Sequence, residues 1–491
     1  MTVKSKSVLT VLCMILISLP VRLYHLNYPL LDSHSFRQTQ TATVALNFYK
    51  NGINLFKTEL DVFGIGPEKY LLLEFPLYQA AVAFLYKSFY FNEVWGRLVS
   101  ILSGYIGAFF LYKIAFLVLK NKKTAIISVL FYLFVPLNMF FHRSFMIDPM
   151  VVTFLLASTY FSLKFIQSPN LKYWFLTVML FSLGFIQKAL YGPFWLIPLI
   201  FIRIKKQSLK SLFKIDFIFL ILIPLLILFS WQFFENSQNT LHLQTYFTST
   251  NRDQWIWNSG HLQDRLNWQI WKLYLTQIIN SVMLKPGILL FFIGLFAANT
   301  ADKTGFLYFL LISQIVYTLT FFRIQSHYYY QLPIVPVISI FMALGLVKLV
   351  KIFRNRQIKS ILVSLFFVIY IGKSWNNTLP SFYIDWSWYR TFSHISTVLA
   401  GASPVIFATP GYDWNSIYSY YLRKKLLIVS VEDINEEKLV GWQREGYSYL
   451  MLYDLNNIKT RLSQLGKPDL LKSFANFPVI YDEHNILIYK I

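Results

Sequence analysis

Five polar stretches of this chain carry residue types that could do chemistry. The first, DSHSFRQTQ, puts a carboxylate, an imidazole and a guanidinium (Asp32, His34, Arg37) close together, with Gln38 beside them. Glu74 stands just before Pro76. HRSFMID contributes His142, Arg143 and Asp148, the next stretch holds Gln187 and Lys188, and RIQSHYYYQLP holds Arg323, His327 and Tyr328 to Tyr330. A carboxylate can take a proton from a hydroxyl, and Arg or Lys can hold a phosphate as charge builds on it. Asp32 and Asp148 are therefore the catalytic candidates, and Arg37, Arg143 and Lys188 the candidate phosphate clamp. His34, Gln38, Glu74, His327 and Tyr328 are candidate substrate contacts.

Each has a plainer reading. Asp32 and Ser33 fit the N-cap of a helix that stops at Asn51-Gly52, because a side-chain oxygen satisfies free backbone N–H groups and Gly tolerates left-handed geometry. Asp148-Pro149 fits an N-cap with Pro in the first turn, and Glu74 before a helix suits its dipole. Arg143, Lys188 and the three tyrosines fit interfacial anchors. Capping leaves the neighbours of Asp32, His34 and Arg37, without a task.

The elements that must position these residues follow from composition. The chain has 491 residues, of which 56% are hydrophobic, 19% aromatic and 14% charged, and its mean hydropathy is +0.48. Water cannot solvate that much apolar surface, so most of the chain belongs in a bilayer. The net charge of +22 sits in short gaps between apolar runs: KNKK at 120–123, RIKKQSLKSLFK at 203–214 and KIFRNRQIK at 351–359. This is a positive-inside pattern, which argues against a nucleic-acid partner. The single cysteine, Cys13, excludes a disulfide within the chain.

About eleven spans of roughly 20 residues can be placed. They begin at Val8–Leu23, uncleaved because no small-residue site follows, and continue through Val94–Leu119, Ala125–Phe141, a run from Pro149, Trp174–Ile186, Ala189–Ile202 and Phe217–Phe234. The last four end near Phe296, run from Phe306 to Phe322, return to the third basic gap, and cover Ile361–Gly372. Residues 1–373 form this multispan domain, with outside loops at 24–93 and 235–273. Every basic gap then falls inside, and every stretch of the opening paragraph falls outside. Residues 374–491 alternate β-rich runs (VIFAT, LLIVS, YLMLYD, FPVIYD, ILIYKI) with charged helical ones, predicting a small outer α/β domain with a partly parallel sheet. No GxGxxG, Walker, CxxC or HExxH pattern occurs.

The order of these segments resembles the membrane glycosyltransferases of the GT-C fold. The match is to the family 39 group that includes the dolichyl-phosphate-mannose–protein mannosyltransferases, and the aminoarabinose transferase of lipid A is similar. It rests on DSHSFRQTQTA, the Glu-Phe-Pro-Leu-Tyr-Gln segment, HRSFMIDP, QKALYGP and SHYYYQLPIVP, and covers roughly residues 1–350. The resemblance implies an inverting single displacement that moves a sugar from a polyprenyl phosphate to a glycan, lipid or protein acceptor at the outer face of a bacterial plasma membrane. Asp32 would be the base, Asp148 the acid after the third span, and Lys188 the donor-phosphate ligand. The chain departs from the family at Ser33, where a second acid is usual, and at Glu74-Phe75-Pro76, where a Lys is usual. A divalent cation is compatible with such a site but no ligands are assigned. The competing class is a transporter or flippase for a lipid-linked sugar or other amphiphile, which would place charges mid-span and show inverted repeats. The charges here lie at the outer mouth. A receptor with an outer ligand-binding domain would leave Asp32, Arg37 and Lys188 on one side unexplained.

Overall fold

The computed structural model describes residues 3–297, 305–399, 401 and 404–491. Helices form wherever an apolar run is long enough to satisfy its backbone internally. α1 (Val3–Leu23) leads to the shorter α2 (Ser35–Asn51) and α3 (Leu77–Ser88), then to α4 (Val94–Leu119). α5 (Lys122–Phe134), α6 (Pro136–Phe141), α7 (Asp148–Gln167), α8 (Leu171–Gln187), α9 (Ile197–Gln207) and α10 (Ile215–Leu241) follow. Next come α11 (Arg252–Ser259), α12 (Trp268–Ile278), α13 (Leu284–Ala297), α14 (Gly305–Thr320), α15 (Val335–Val350) and α16 (Arg356–Thr378). The link between the eighth and ninth expected spans lies partly outside the described residues.

Among the described residues six stretches are long and apolar enough to cross a membrane: Val94–Leu119, Asp148–Gln167, Ile215–Leu241, Trp268–Ala297, Tyr328–Val350 and Arg356–Val398. They are covered unequally. Protein buries 72% of the most apolar window of Asp148–Gln167 but only 17% of that in Arg356–Val398. α7 is thus an inner helix, whereas α16 turns Ile361, Leu365 and Val368 outward, a surface only lipid can cover.

The inner helices approach through glycine. A Cβ on Gly294 of α13 would lie 1.8 Å from the Phe341 carbonyl, and one on Gly345 of α15 would lie 1.9 Å from the Leu290 carbonyl. Backbone meets backbone there, the contact small residues allow between helices in lipid. α4 uses glycine differently. Phe145 fills the space beside Gly96, the His142 ring that beside Gly104, and Thr153 and Tyr132 that beside Gly107. This row seats the 142–147 turn, and with it Arg143 and Asp148, against α4.

The structure departs from the sequence expectations at several boundaries. The third segment is two helices, because Val135 is extended (φ −67°, ψ 141°) and Pro136 brings no N–H. The sixth, expected at Ala189–Ile202, starts with a turn and a 3₁₀ stretch at Pro193–Leu196 before α9. α10 runs to Leu241, past the loop start expected at 235. α16 continues through 374, so the change of character expected there falls inside a helix, and the sheet begins only at Val405.

The C-terminal part is a five-stranded sheet: β1 (Val405–Thr409), β2 (Leu426–Ser430), β3 (Tyr449–Tyr453), β4 (Val479–Glu483) and β5 (Ile486–Lys490). Their order is β2-β1-β3-β5-β4, parallel across β2, β1 and β3 and antiparallel beyond. α17 (Trp386–Val398), α18 (Ser416–Leu422), α19 (Glu436–Arg444) and α20 (Leu455–Gln464) surround it. The long first loop extends the sheet. Leu426 N–H donates to Asp61 (2.9 Å), Gly64 N–H to Leu426 (2.7 Å) and Ile428 N–H to Val62 (3.3 Å), covering the β2 edge. Thr39 and Ser416 meet at 3.2 Å, joining α18 to α2. The sheet is therefore tied to the helix that carries the first candidate residues.

Candidate active site

α2 begins at Ser35, not at an Asp32 or Ser33 cap. His34 occupies the cap position in left-handed geometry (φ 58°, ψ 36°) and no side chain caps the helix. Asp32 is engaged elsewhere. Its Oδ1 accepts from Gln38 Nε2 at 2.5 Å, and its Oδ2 from Arg143 at 3.2 Å and Arg97 at 3.5 Å. Both guanidiniums are fully buried. Arg97 also donates to the carbonyls of Leu26 and Tyr28, each at 2.7 Å, and Arg143 to that of His25 at 2.9 Å. Gln38 completes the knot by accepting from Phe145 N–H at 3.0 Å. Segment 25–32, the start of α2, the start of α4 and the 142–147 turn are thus joined around one carboxylate. Burial and the nearby Arg97 charge pull the Arg143 pKa down to about 9, against the pull of Asp32.

In the first turn of α2, next to Gln38, Arg37 donates to Glu74 at 2.6 Å and also bonds Gln40. Burial alone would lower the Arg37 pKa, but Glu74, with Tyr329 and Tyr330, raises it. Gln79 bonds the other Glu74 oxygen at 3.3 Å.

Asp148 forms the third centre. It is the first residue of α7, and Ile147 is the cap, with no capping bond. Asp148 Oδ1 accepts from Lys188 Nζ at 2.9 Å and Tyr191 OH at 2.7 Å, while Oδ2 is buried and has no hydrogen-bond partner among the described residues. Lys188 closes α8 and lies 4.5 Å from the Tyr330 ring centre and 5.2 Å from that of Tyr329. An ammonium among ring faces gains attraction and stays desolvated, so it keeps its partner.

His34 stands between these centres. Its ring centre lies 4.8 Å from Tyr329, 5.0 Å from Tyr328, 5.6 Å from Phe141 and 6.0 Å from His327. Burial, then His327, lowers its pKa to about 4, against the pull of Asp148. Burial and Lys188 lower that of His327. Both shifts favour the neutral ring. Ser33 and Tyr328 meet at 3.0 Å between hydroxyls, and Ser33 N–H donates to Ser381 at 2.9 Å, tying the Tyr cluster to the chain after α16.

Asp32, His34, Arg37, Gln38, Glu74, Arg143, Asp148, Lys188, His327 and Tyr328 therefore gather at one end of the bundle, in three polar centres around α2. Arg143 serves Asp32 rather than standing free for an anion. His142 packs in α4 and against Tyr132 (5.1 Å), away from these centres. Arg323 stacks on Trp257 at 4.9 Å. Sequence reading missed Arg97 and Tyr191. Arg97 lies at the head of an apolar span, and its one signal is a charge in the first turn of a helix beside a glycine row. Among the described residues no group of three His, Cys, Asp or Glu side chains could hold a metal ion.

The model of the dolichyl-phosphate-mannose-protein mannosyltransferase family matches residues 74–233, a stretch holding Glu74, Arg97, Arg143, Asp148 and Lys188. No curated protein matches the chain in sequence. Among solved structures, ArnT from Cupriavidus metallidurans bound to undecaprenyl phosphate aligns over 98% of this chain and 97% of its own, at 13% identity and a TM-score of 0.66. The oligosaccharyltransferase AglB from Archaeoglobus fulgidus, in complex with an inhibitory peptide and a dolichol-phosphate, aligns over 97% and 73%, at 10% identity and a TM-score of 0.55. The arabinofuranosyltransferase AftD from mycobacteria aligns over 90% and 36%, at 12% identity and a TM-score of 0.54. The chain has the GT-C fold of these membrane glycosyltransferases, with the mannosyltransferase family's sequence pattern in its residues 74–233.

Proposed function

We propose that the chain transfers a sugar from a polyprenyl phosphate to an acceptor hydroxyl by a single inverting displacement. The observation that carries this reading is the pairing of a buried carboxylate with a cation at two centres of one site, Asp32 with Arg143 and Asp148 with Lys188. A displacement at the anomeric carbon needs both: a carboxylate to take the acceptor's proton and a cation to receive charge on the leaving phosphate. Asp32 is the base, oriented by Gln38 and Arg143 with one Oδ1 lone pair still open. Lys188 and Arg37 hold the donor phosphate, their charges secured by Asp148 and Glu74 until the donor arrives. His34, Tyr328 and His327 line the sugar's place.

The topology follows with about eleven crossings, basic gaps inside and both the site and the sheet outside. A bacterial plasma membrane is the location this reading favours. The prenyl tail stays in lipid against the outward apolar helices while the sugar phosphate sits at the polar end.

The test is lipid analysis of a strain lacking the gene together with donor binding by the purified protein. The reading expects an accumulated polyprenyl-phosphate sugar, a lost glycan, and binding of undecaprenyl or dolichyl phosphate. An unchanged glycan profile with normal lipid-linked sugar pools contradicts it. A lipid-linked sugar trapped on the inner leaflet would instead favour the flippase class.

A further inference from the structure

A cleft of about 540 Å³ lies outside the three centres, between α17, the end of α18 and the chain entering α4. Its size suits a small-molecule site. Trp386 and Tyr389 of α17 line it together with Asn27, Asn92 and Glu93 from the chain before α4 and Arg423 from the end of α18. We propose that this cleft binds a carbohydrate chain, the acceptor glycan.

The lining selects for that chemistry. A pyranose ring has a face of C–H groups that lies flat on an aromatic ring and an edge of hydroxyls that needs donors and acceptors. Trp386 supplies an exposed ring, set 5.8 Å from Tyr389 and 5.2 Å from Tyr28 in edge-on packing, which holds it upright. Amides, a carboxylate and a guanidinium supply the hydrogen-bonding edge. Arg423 lies over Tyr420 at 4.5 Å and Phe91 at 5.1 Å, and among the described residues no carboxylate pairs with it. Its fork is thus held in place with donors to spare. A prenyl or acyl chain would leave Asn27, Asn92 and Arg423 facing hydrocarbon, at the cost of desolvated polar groups. A peptide backbone finds no sheet edge, since helices and a loop form the walls.

The cleft also points the right way. Glu93 accepts from Tyr420 OH at 2.9 Å, and Arg97, one turn later on α4, donates to Asp32. Asn27 belongs to the same 25–32 segment that Arg97 clamps and that ends on Asp32. A glycan seated on Trp386 therefore runs beside the segment that carries the proposed base. This assignment rests on the transferase reading for what the sugar does there, but the binding itself is measured without turnover.

Full-length protein in nanodiscs is applied to an array of microbial oligosaccharides, and hits are titrated in solution. The expected result is binding of at least one neutral or acidic oligosaccharide, weakened about tenfold or more in Trp386→Ala and retained in Trp386→Phe. Binding of undecaprenyl phosphate should be unchanged in both variants, which also shows that they fold. No oligosaccharide binding by protein that still binds undecaprenyl phosphate overturns the inference and leaves the transferase reading standing. So does binding unaffected by Trp386→Ala and Arg423→Ala, or displacement of the sugar by a peptide. Loss of undecaprenyl phosphate binding in the wild type counts against the transferase reading, and sugar binding then decides the cleft alone.

Discussion

Lys188 Nζ lies 2.9 Å from Asp148 Oδ1, and both side chains are buried. The two residues close different helices, α8 at its end and α7 at its start, so the pair pins two inner helices at the site end. Removing one partner of such a pair strands the other's charge, which costs about 3–5 kcal/mol. Lys188→Met should therefore lower thermal stability in detergent sharply, and adding Asp148→Asn should recover most of the loss. A double mutant as unstable as the sum of the singles would mean that the ion pair does not hold these helices.

The pH response should carry a histidine signature. His34 falls from the ordinary 6.5 to about 4 in the folded protein, so between those values the unfolded chain binds a proton that the folded one does not. Stability from this group is complete above pH 6.5 and is lost as pH falls toward 4, by at most about 3 kcal/mol. His34→Asn should flatten that part of a melting-temperature profile from pH 7 to 4, leaving the share of His327 and His142. Parallel profiles for the two proteins would show that His34 does not titrate this way.

The close approach of α13 and α15 makes a sharp packing test. Gly345→Ala brings a Cβ to 1.9 Å from the Leu290 carbonyl, a backbone atom that cannot swing aside, and should cost about 1–3 kcal/mol. Gly372→Ala meets nothing within 4 Å in a helix and should be neutral or slightly stabilising, because Ala is the better helix former. Detergent melting curves of the two variants should separate in that order.

Reporter fusions check the orientation. Fusions at Ser208 and Lys424 should score on opposite sides, with Ser208 inside. If both score inside, the count of crossings between positions 208 and 424 is off by one and the sheet does not lie on the outer side.

The helices and strands were legible because apolar runs and β-rich runs have characteristic lengths, and VIFAT, LLIVS and YLMLYD became β1, β2 and β3 with the parallel core expected of them. Boundaries were less legible. Val135 had no visible reason to break a helix until Pro136 was read as the start of another, and α16 carried its polar end past 374. The site's residue types were visible as polar islands in an apolar chain. Their pairing was not, since Asp32 meets Arg97 and Arg143 across 65 and 111 positions. Local spacing suggested a cap for Asp32 because the competing long-range cations could not be seen. Arg97 was hidden by its setting at the head of a span, where an arginine commonly marks an interface.

The central claim is that Asp32 takes the acceptor's proton. Asp32→Asn keeps an acceptor oxygen for Arg143 and nearly the same shape but gives up the proton affinity. The measurement is sugar transfer by purified Asp32→Asn in nanodiscs, at matched folded protein and saturating donor. Turnover should be lower by about 10²- to 10⁴-fold with donor binding retained. Transfer at the wild-type rate would contradict it, and would pass the role of base to Asp148, whose Oδ2 is buried with no hydrogen-bond partner among the described residues.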